Sequence, residues 1–464
     1  MTENRSEGGA LDTAAQTLRR HVKGTVSLPG EDVYDTERAA WNLRIDAHPA
    51  VVVRAADADD VRTAVRTARE HSLPLAVQST GHGTLRPSDG GVLVKTGALN
   101  SVDVDPVRRV ARVGTGALWS DVIAAAAPHG LAPLSGTPSV GVTGYTLGGG
   151  IGWLSRRHGL ASDSLLSAEL VTADGEFTVA SAEENPGLLW ALRGGSGNFG
   201  VVTSMEIALY PVGPVFAGMS LYPADRAPEV FRRYTEWAAG EPDGFNTAVL
   251  LLQMPPLPMV PEPVRGKRVL AVRVFSEGSE EEARRELAPV LAAAGDPLLP
   301  GFGEMDFARA GVAITGPPPP PMAARQHFDH FRELPGDAVD AIVKEAGEGS
   351  DPAISAVELR HWGGAIARTD QHTGPAGHRD ADFSVIVTAM FDGVQDRAQQ
   401  EERVGELAAL LRPYAHGGKF LNFLSDLSLT HAAFTPENHA RLVEAKRRWD
   451  PDNFFRLNHN IAPH

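Results

Sequence analysis

The stretch GVTGYTLGGGIGW, Gly141 to Trp153, leaves little side chain over a dozen residues, with glycine at 141, 144, 148, 149, 150 and 152. Helices and central strands do not favour such a composition, because glycine packs nothing and loses the most freedom on ordering. What bare backbone offers is close approach to a ligand, with N–H groups aimed at phosphate oxygens. Taken alone, the stretch is also satisfied by a glycine-rich turn between strands. Two further bare loops, Gly81-His82-Gly83 and Gly194 to Gly200, weaken that account. Three such loops in one region point to one extended ligand, such as a dinucleotide.

The third loop contains GSGNFG, Gly195 to Gly200, which matches G-x-G-x-x-G. In a Rossmann-type nucleotide site a strand precedes this motif and a helix follows. Here NPGLLWALRG before it reads as a helix and VVTSMEIALY after it reads as a strand. The order is reversed, so the Rossmann reading is rejected. A structural turn, or contact with a different cofactor, remains.

His82 sits in VQSTGHGT, between two glycines and straight after a short apolar run. A lone histidine is most often a satisfied polar group. No H-E-x-x-H spacing is present and the chain has no cysteine, so no metal role is expected. Neutral imidazole is also a nucleophile. It can attack the activated 8-methyl carbon of a flavin and leave a covalent histidyl–flavin.

Composition narrows the classes. The 464 residues suggest two or three domains, and a hydrophobic fraction of 42% is ample for large cores. Acidic residues outnumber basic ones 58 to 43, for a formal charge of −15. That argues against a nucleic-acid binder and against adsorption to anionic membranes. Without cysteine, disulfides, thiolate metal sites and cysteine nucleophiles are excluded. The polar N-terminal stretch lacks the apolar segment of a signal peptide and no apolar run reaches membrane-spanning length, so a cytoplasmic protein is expected.

Residues 50 to 79 read as a strand, a helix with acidic residues in its first turn, and a second strand. WSDVIAAAAPHG reads as a helix ended by glycine. From residue 213 the character changes. The clusters Pro255 to Pro258 and Pro317 to Pro321 mark loops. Between and beyond them TAVLLLQM, RVLAVRVF, ISAVELRH and DFSVIVTAMF read as strands, with helices between. Alternation along ISAVELRH puts Ile354, Ala356, Glu358 and Arg360 on one face, and Ser355, Val357, Leu359 and His361 on the other.

Taken together, QSTGHGT, DGGVLVKT, ARVGTGALWSDV, the block from Gly136 to Glu176, the run from Asn185 to Val212 and DPDNFFRLNHNI resemble the berberine-bridge-enzyme-like FAD-linked oxidases, which have the vanillyl-alcohol-oxidase type of FAD-binding fold. The likeness covers most of residues 45 to 212 and reappears at the C-terminus. Between these regions the clear matches are ELRHWGGA, in the substrate domain, and FLNF, at residues 420–423. The resemblance implies an α+β fold. An FAD-binding domain over 1–212 is completed by a C-terminal return over 405–464, and an antiparallel-sheet substrate domain over 213–404 is inserted between them.

The resemblance also implies roles. His82 falls where similar proteins carry FAD covalently, flanked by Gly81, Gly83 and Thr84. Thr137 stands where many relatives place a cysteine that makes a second bond to the flavin, so a single link is expected. Val140 falls where oxygen access is controlled, and a small valine there favours O2. Gly141, Gly144, Gly148, Gly149, Gly150 and Gly152 are expected along the cofactor, as are Asn198, Gly200, Val201, Asn458 and Asn460. His459 replaces a common glutamine and is expected near the flavin. Phe420 stands where many relatives have a catalytic tyrosine and accepts no proton. Any base comes from elsewhere. Glu358 reads two ways: as a base raised towards working pH by burial, or as the partner of Arg360 in a salt bridge. Tyr145 is a candidate substrate contact.

The expectation is therefore an FAD-dependent oxidase that takes hydride from a small organic substrate, such as an alcohol, amine or specialised metabolite, with O2 as acceptor and H2O2 as product. A dehydrogenase with another acceptor, an oxidative cyclase or internal-redox enzyme, and a non-catalytic flavin binder stay open. Oligomeric state is not readable.

Overall fold

The computed structural model describes residues 3–370, 373–391 and 396–464. Its first sheet contains β1 (Thr25–Ser27), β2 (Val51–Arg54), β3 (Leu75–Gln78) and β4 (Val92–Lys95), in the order β1-β2-β4-β3. The expected strand–helix–strand unit is β2, helix Ala58–Glu70 and β3. Its two strands are parallel but not neighbours, because β4 lies between them and pairs parallel with both. Asp57 caps the helix by accepting from the Asp60 amide at 3.0 Å. Val61, Ala64, Val65 and Ala68 form its buried stripe and pack on the sheet. Leu18 from the N-terminal helix and Phe454 and Phe455 from the far end of the chain complete this core.

Next come β5 (Val102–Asp105), β6 (Val110–Gly114), β7 (Leu131–Ala132), β8 (Leu165–Val171), β9 (Phe177–Ser181), β10 (Val201–Ala208) and β11 (Tyr210–Pro211). Five of them make an antiparallel sheet, β5-β6-β10-β8-β9, and β7 pairs with β11. Helix Trp119–Ala126 ends through a short 3-10 turn at Gly130. The GSGNFG loop lies between helix Pro186–Leu192 and β10, the reverse of a Rossmann turn.

The third sheet holds β12 (Val215–Pro223), β13 (Phe245–Gln253), β14 (Arg268–Ser276), β15 (Phe302–Met305), β16 (Ala323–Phe331), β17 (Ala356–His361) and β18 (Phe383–Phe391). It is antiparallel throughout, ordered β15-β12-β14-β13-β17-β18-β16. One face carries Val249, Leu251, Val272, Val357, Leu359, Val385 and Val387 against a layer of helices. Ile354 also packs in that core, ahead of the first residue of β17, so it does not share the Glu358 face as the alternation implied.

Helix Arg397–Leu411 belongs to this half of the molecule, with Val404, Leu407 and Leu411 buried against the same sheet core. The expected boundary at 404/405 therefore falls inside a helix whose apolar stripe needs the substrate-domain sheet. The return comes later: Leu421, Leu424, Phe434, Leu442 and Ile461 pack with Trp119, Val142 and Leu147. Among the described residues, no helix is long and apolar enough to cross a membrane.

Candidate functional site

The three glycine-rich stretches meet, and the central one begins as a helix, Val142–Leu147, rather than as the bare loop expected. Gly141 faces the first loop, where a methyl group on it would lie 3.1 Å from Ser79 Oγ. The Ser196 amide donates to the Leu147 carbonyl at 2.9 Å, joining the third loop to the second. The C-terminal segment binds both ends of the assembly. Asn458 Oδ1 accepts from the amides of Leu85 and Arg86 at 3.1 and 3.2 Å. Asn198 donates to the His459 carbonyl at 2.9 Å and accepts from the Ile461 amide at 2.9 Å. Asn422 reaches the central block, accepting from the Gly150 amide at 2.9 Å and donating to the Tyr145 carbonyl at 3.1 Å.

Most glycines of the central block meet protein rather than open space. A methyl group on Gly149, whose φ is +115°, would lie 2.7 Å from the Phe420 ring; on Gly148 it would meet Asn422 at 2.7 Å. Gly150 accommodates the Tyr145 ring, Gly152 the Ser135 carbonyl, and Gly200 the Leu170 side chain. At 148 and 149 the bareness serves the packing of the returning chain, and at 150, 152 and 200 that of Tyr145, Ser135 and Leu170. Gly83 and Gly144 differ: both are exposed and nothing lies within 4 Å of an added methyl.

The imidazole of His82 stacks on Trp41, with centroids 4.1 Å apart and planes at 13°. Its Nδ1 is 2.8 Å from Thr80 Oγ1. Burial lowers its pKa to about 4, so the ring is neutral near pH 7. Gly81 makes the turn possible: its φ is +81°, and a Cβ there would approach the Ala40 backbone to 2.8 Å. Trp41 carries no signal in the sequence linking it to this loop. The contact arises because the Trp41 amide pairs with the Thr80 carbonyl.

A ligand rich in polar atoms, as FAD is, suits these surroundings. The hydroxyls of Ser79, Ser135, Thr143 and Thr146 and the Asn460 Oδ1 are buried and meet no partner among the described residues. Left so, each would cost free energy, and a ligand with many polar atoms laid past the two open glycines would satisfy them. Thr84 is buried and receives a hydrogen bond from Gln78 at 3.1 Å. Thr137 and Val140 are half-buried on the turn before Gly141, and the Val140 amide donates to the Thr137 carbonyl at 3.1 Å. Val201 starts β10 and is buried in the first core.

The remaining candidates separate. His459 is buried, with Nδ1 3.2 Å from Thr430 Oγ1, and burial lowers its pKa to about 4. Tyr145 lies edge-on to Trp119 and its buried hydroxyl has no partner among the described residues. Burial raises its pKa, with the Arg360 charge opposing, so the phenol stays protonated.

Glu358 overturns the raised-carboxyl expectation. Burial alone would raise it, but Arg360 and Arg273 outweigh burial and its pKa is lowered. Arg360 Nη2 lies 2.6 Å from Oε1, and Arg273 Nη1 lies 2.5 Å from Oε2. The salt-bridge reading holds, with a second arginine that the β17 sequence could not reveal. Arg273 comes from β14, two strands away. Its only sequence signal is a charge inside the apolar run RVLAVRVF.

The Glu358 face of the sheet looks towards the glycine block. Asn246, on the same face of β13, donates to the Gly152 carbonyl at 3.1 Å. Phe328 and Ile386, level with Glu358 across the sheet, cluster with Ile151 and Phe420. Among the described residues, no group of three or more His, Asp or Glu is placed to hold a metal ion.

Comparison with known proteins agrees with this geometry. A family model for the FAD-binding domain matches residues 49–181, and one described as berberine and berberine-like matches residues 419–462. The first contains His82 and the glycine block; the second contains Phe420, Asn422 and Asn458 to Asn460. The chain is 31% identical to (R)-6-hydroxynicotine oxidase of Paenarthrobacter nicotinovorans over 95% of its own length and 97% of that protein's. It is 27% identical to an FAD-linked oxidoreductase of Dictyostelium discoideum over 95% of each. Among solved structures, 6-hydroxy-D-nicotine oxidase of Arthrobacter nicotinovorans superposes with a TM-score of 0.81 at 29% identity, over 96% of this chain and 98% of that one. Berberine bridge enzyme of Eschscholzia californica shares the fold at a TM-score of 0.85 and 20% identity, over 97% and 99%. With the reversed glycine motif, the converging loops and the returning C-terminal segment, this places the chain in the berberine-bridge-enzyme-like family of FAD-linked oxidoreductases.

Proposed function

We propose that the protein is an oxidase that carries FAD on His82 through a single covalent link and oxidises a small organic molecule beneath the seven-stranded sheet, with O2 as acceptor. The observation that carries this reading is the His82 ring: neutral, stacked on Trp41, held at Nδ1 by Thr80, and flanked by the open Gly83. A ring protonated at neutral pH would have no lone pair for the bond.

FAD when bound supplies the redox chemistry, accepting hydride from the substrate and passing electrons to O2. The chain orients and insulates. Backbone N–H groups and hydroxyls of the glycine loops hold the cofactor, and the Glu358 face of the sheet covers the reacting region. Thr137 offers no thiol for a second link. The half-buried Val140 is a small side chain beside the glycine block and leaves room for O2. Ionised Glu358 orients Arg273 and Arg360 and is a poor base.

Acid precipitation and peptide mapping test the attachment. Yellow colour in the pellet, mapped to the peptide containing His82, is the expected result; flavin released into the supernatant removes the covalent link. Stopped-flow mixing of reduced enzyme with air-saturated buffer tests the acceptor. Reoxidation by a dye but not by air turns the oxidase into a dehydrogenase.

A further inference from the structure

The centre of the sheet face over the glycine block carries unbalanced positive charge. Strand register puts Arg273, Ala248, Arg360, Ser384 and His330 in one cross-strand row. Ala271, Leu250, Glu358, Ile386 and Phe328 form the next. The charged trio lies between two apolar clusters. Phe328, Ile386, Trp362 and Phe420 stand on one side; Leu250, Ala271 and the loop residues Val260 and Val264 stand on the other. Two guanidiniums face one carboxylate, in a protein whose formal charge is −15.

The trio is also under-bonded. Arg360 is 9% exposed, and among the described residues the one polar contact of its side chain is to Glu358. The Nε groups of both Arg273 and Arg360 are buried with no acceptor among the described residues, and Glu358 Oε1, though 2.6 Å from Arg360 Nη2, accepts no well-directed hydrogen bond. Buried donors left without acceptors are costly, and a guanidinium fork matches a planar oxyanion. A cationic substrate would leave that charge and those donors unanswered, and a neutral one would answer the donors but not the charge.

We propose that the substrate is an organic acid, bound as its anion to Arg360 and Arg273 and flanked by the two apolar clusters. This rests on substrate lying between the glycine loops and the sheet, as the proposed function has it. It explains the chemistry lost from the site. Phe420 offers no base and Glu358 is committed to its arginines, so the protein is built to hold an oxyanion rather than to make one. Glu358 acts here as a positioning residue that aims both guanidiniums.

The test uses holoenzyme and isothermal titration calorimetry, which needs no turnover. A panel of aromatic and alicyclic monocarboxylates, benzoate first, is titrated beside the matched neutral amides. At least one carboxylate is expected to bind tenfold or more tightly than its amide. Arg360→Gln should abolish that preference, and Arg360→Lys should restore part of it. Glu358→Gln removes the charge that aims the guanidiniums and should weaken carboxylate binding several-fold while leaving the amides unchanged, whereas a merely structural Glu358 would weaken both alike. A panel in which no carboxylate outbinds its amide overturns the proposal, as does an unchanged preference in Arg360→Gln. Flavin content measured on the same preparation separates this failure from failure of the His82 assignment. A protein with His82-linked flavin and no anion preference loses only the substrate class.

Discussion

At the scale of single residues, His82 and Glu358 show how burial acts in opposite ways. Both lose water. His82 has no charged partner at its ring, so desolvation decides and keeps the imidazole neutral. Glu358 loses as much solvent but gains two guanidiniums, and attraction outweighs desolvation. The first outcome leaves a neutral ring with a free lone pair, as the proposed flavin link requires, and the second makes a fixed anion. Trp41 bears directly on the first, because its indole holds the plane of the His82 ring. Trp41→Ala should leave the chain folded but lower the covalently bound flavin fraction several-fold, read as acid-pellet absorbance against total flavin. Full incorporation in this variant would mean that Thr80 and the Gly81 turn suffice.

At the scale of elements, the C-terminal segment holds the site together. Its anchor is the end of helix Pro436–Trp449, where Lys446 and Asp450 are both fully buried. Lys446 donates to Asp450 at 2.7 Å and to the carbonyls of Asn198 and Phe455 at 2.8 Å each. One ammonium thus ties the GSGNFG loop to the tail that carries Asn458 and His459. Removing one partner of a buried pair leaves the other charge stranded, at a cost of about 3–5 kcal/mol. Lys446→Met should lower stability by about that amount in urea unfolding. It should also loosen flavin in any fraction not covalently attached. Loss below about 1 kcal/mol would show that Asp450 is satisfied by the Phe454 and Phe455 amides alone.

At the scale of the whole molecule, acid should weaken the fold over a defined range. His330 and His459 are buried, with pKa values lowered to about 3 and about 4 by desolvation. Unfolded, each returns to its ordinary value near 6.5. Between about 6.5 and 4 the unfolded chain takes up protons that the folded chain refuses, so stability falls as pH drops. Glu358, with a lowered pKa, contributes in the same direction: its stabilisation is present above its ordinary value of 4.5 and lost below it. Unfolding free energy from urea titrations should therefore decline by on the order of a few kcal/mol from pH 7 to pH 4.5. A flat curve would mean that these histidines find proton-accepting partners in the folded chain.

Much of the site was legible in the sequence because its signals are local. The bare loops around His82 and Gly141 to Gly152, the helix–loop–strand order at GSGNFG, and the alternation of Ala356, Glu358 and Arg360 are all properties of neighbouring residues. Backbone sterics and the two-residue period of a strand act at that range. What the sequence left open depends on partners brought from afar. The glycines at 148 and 149 are bare for Phe420 and Asn422, about 270 positions along. Glu358 could be read as a base or as an ion-pair partner until β14 supplied Arg273. Helix Arg397–Leu411 could be assigned only once its apolar stripe met the seven-stranded sheet. Local sterics and periodicity determined the loops and strands. Tertiary structure alone decided which charges meet, because the ionisation of a buried group depends on what lies within a few ångströms in space.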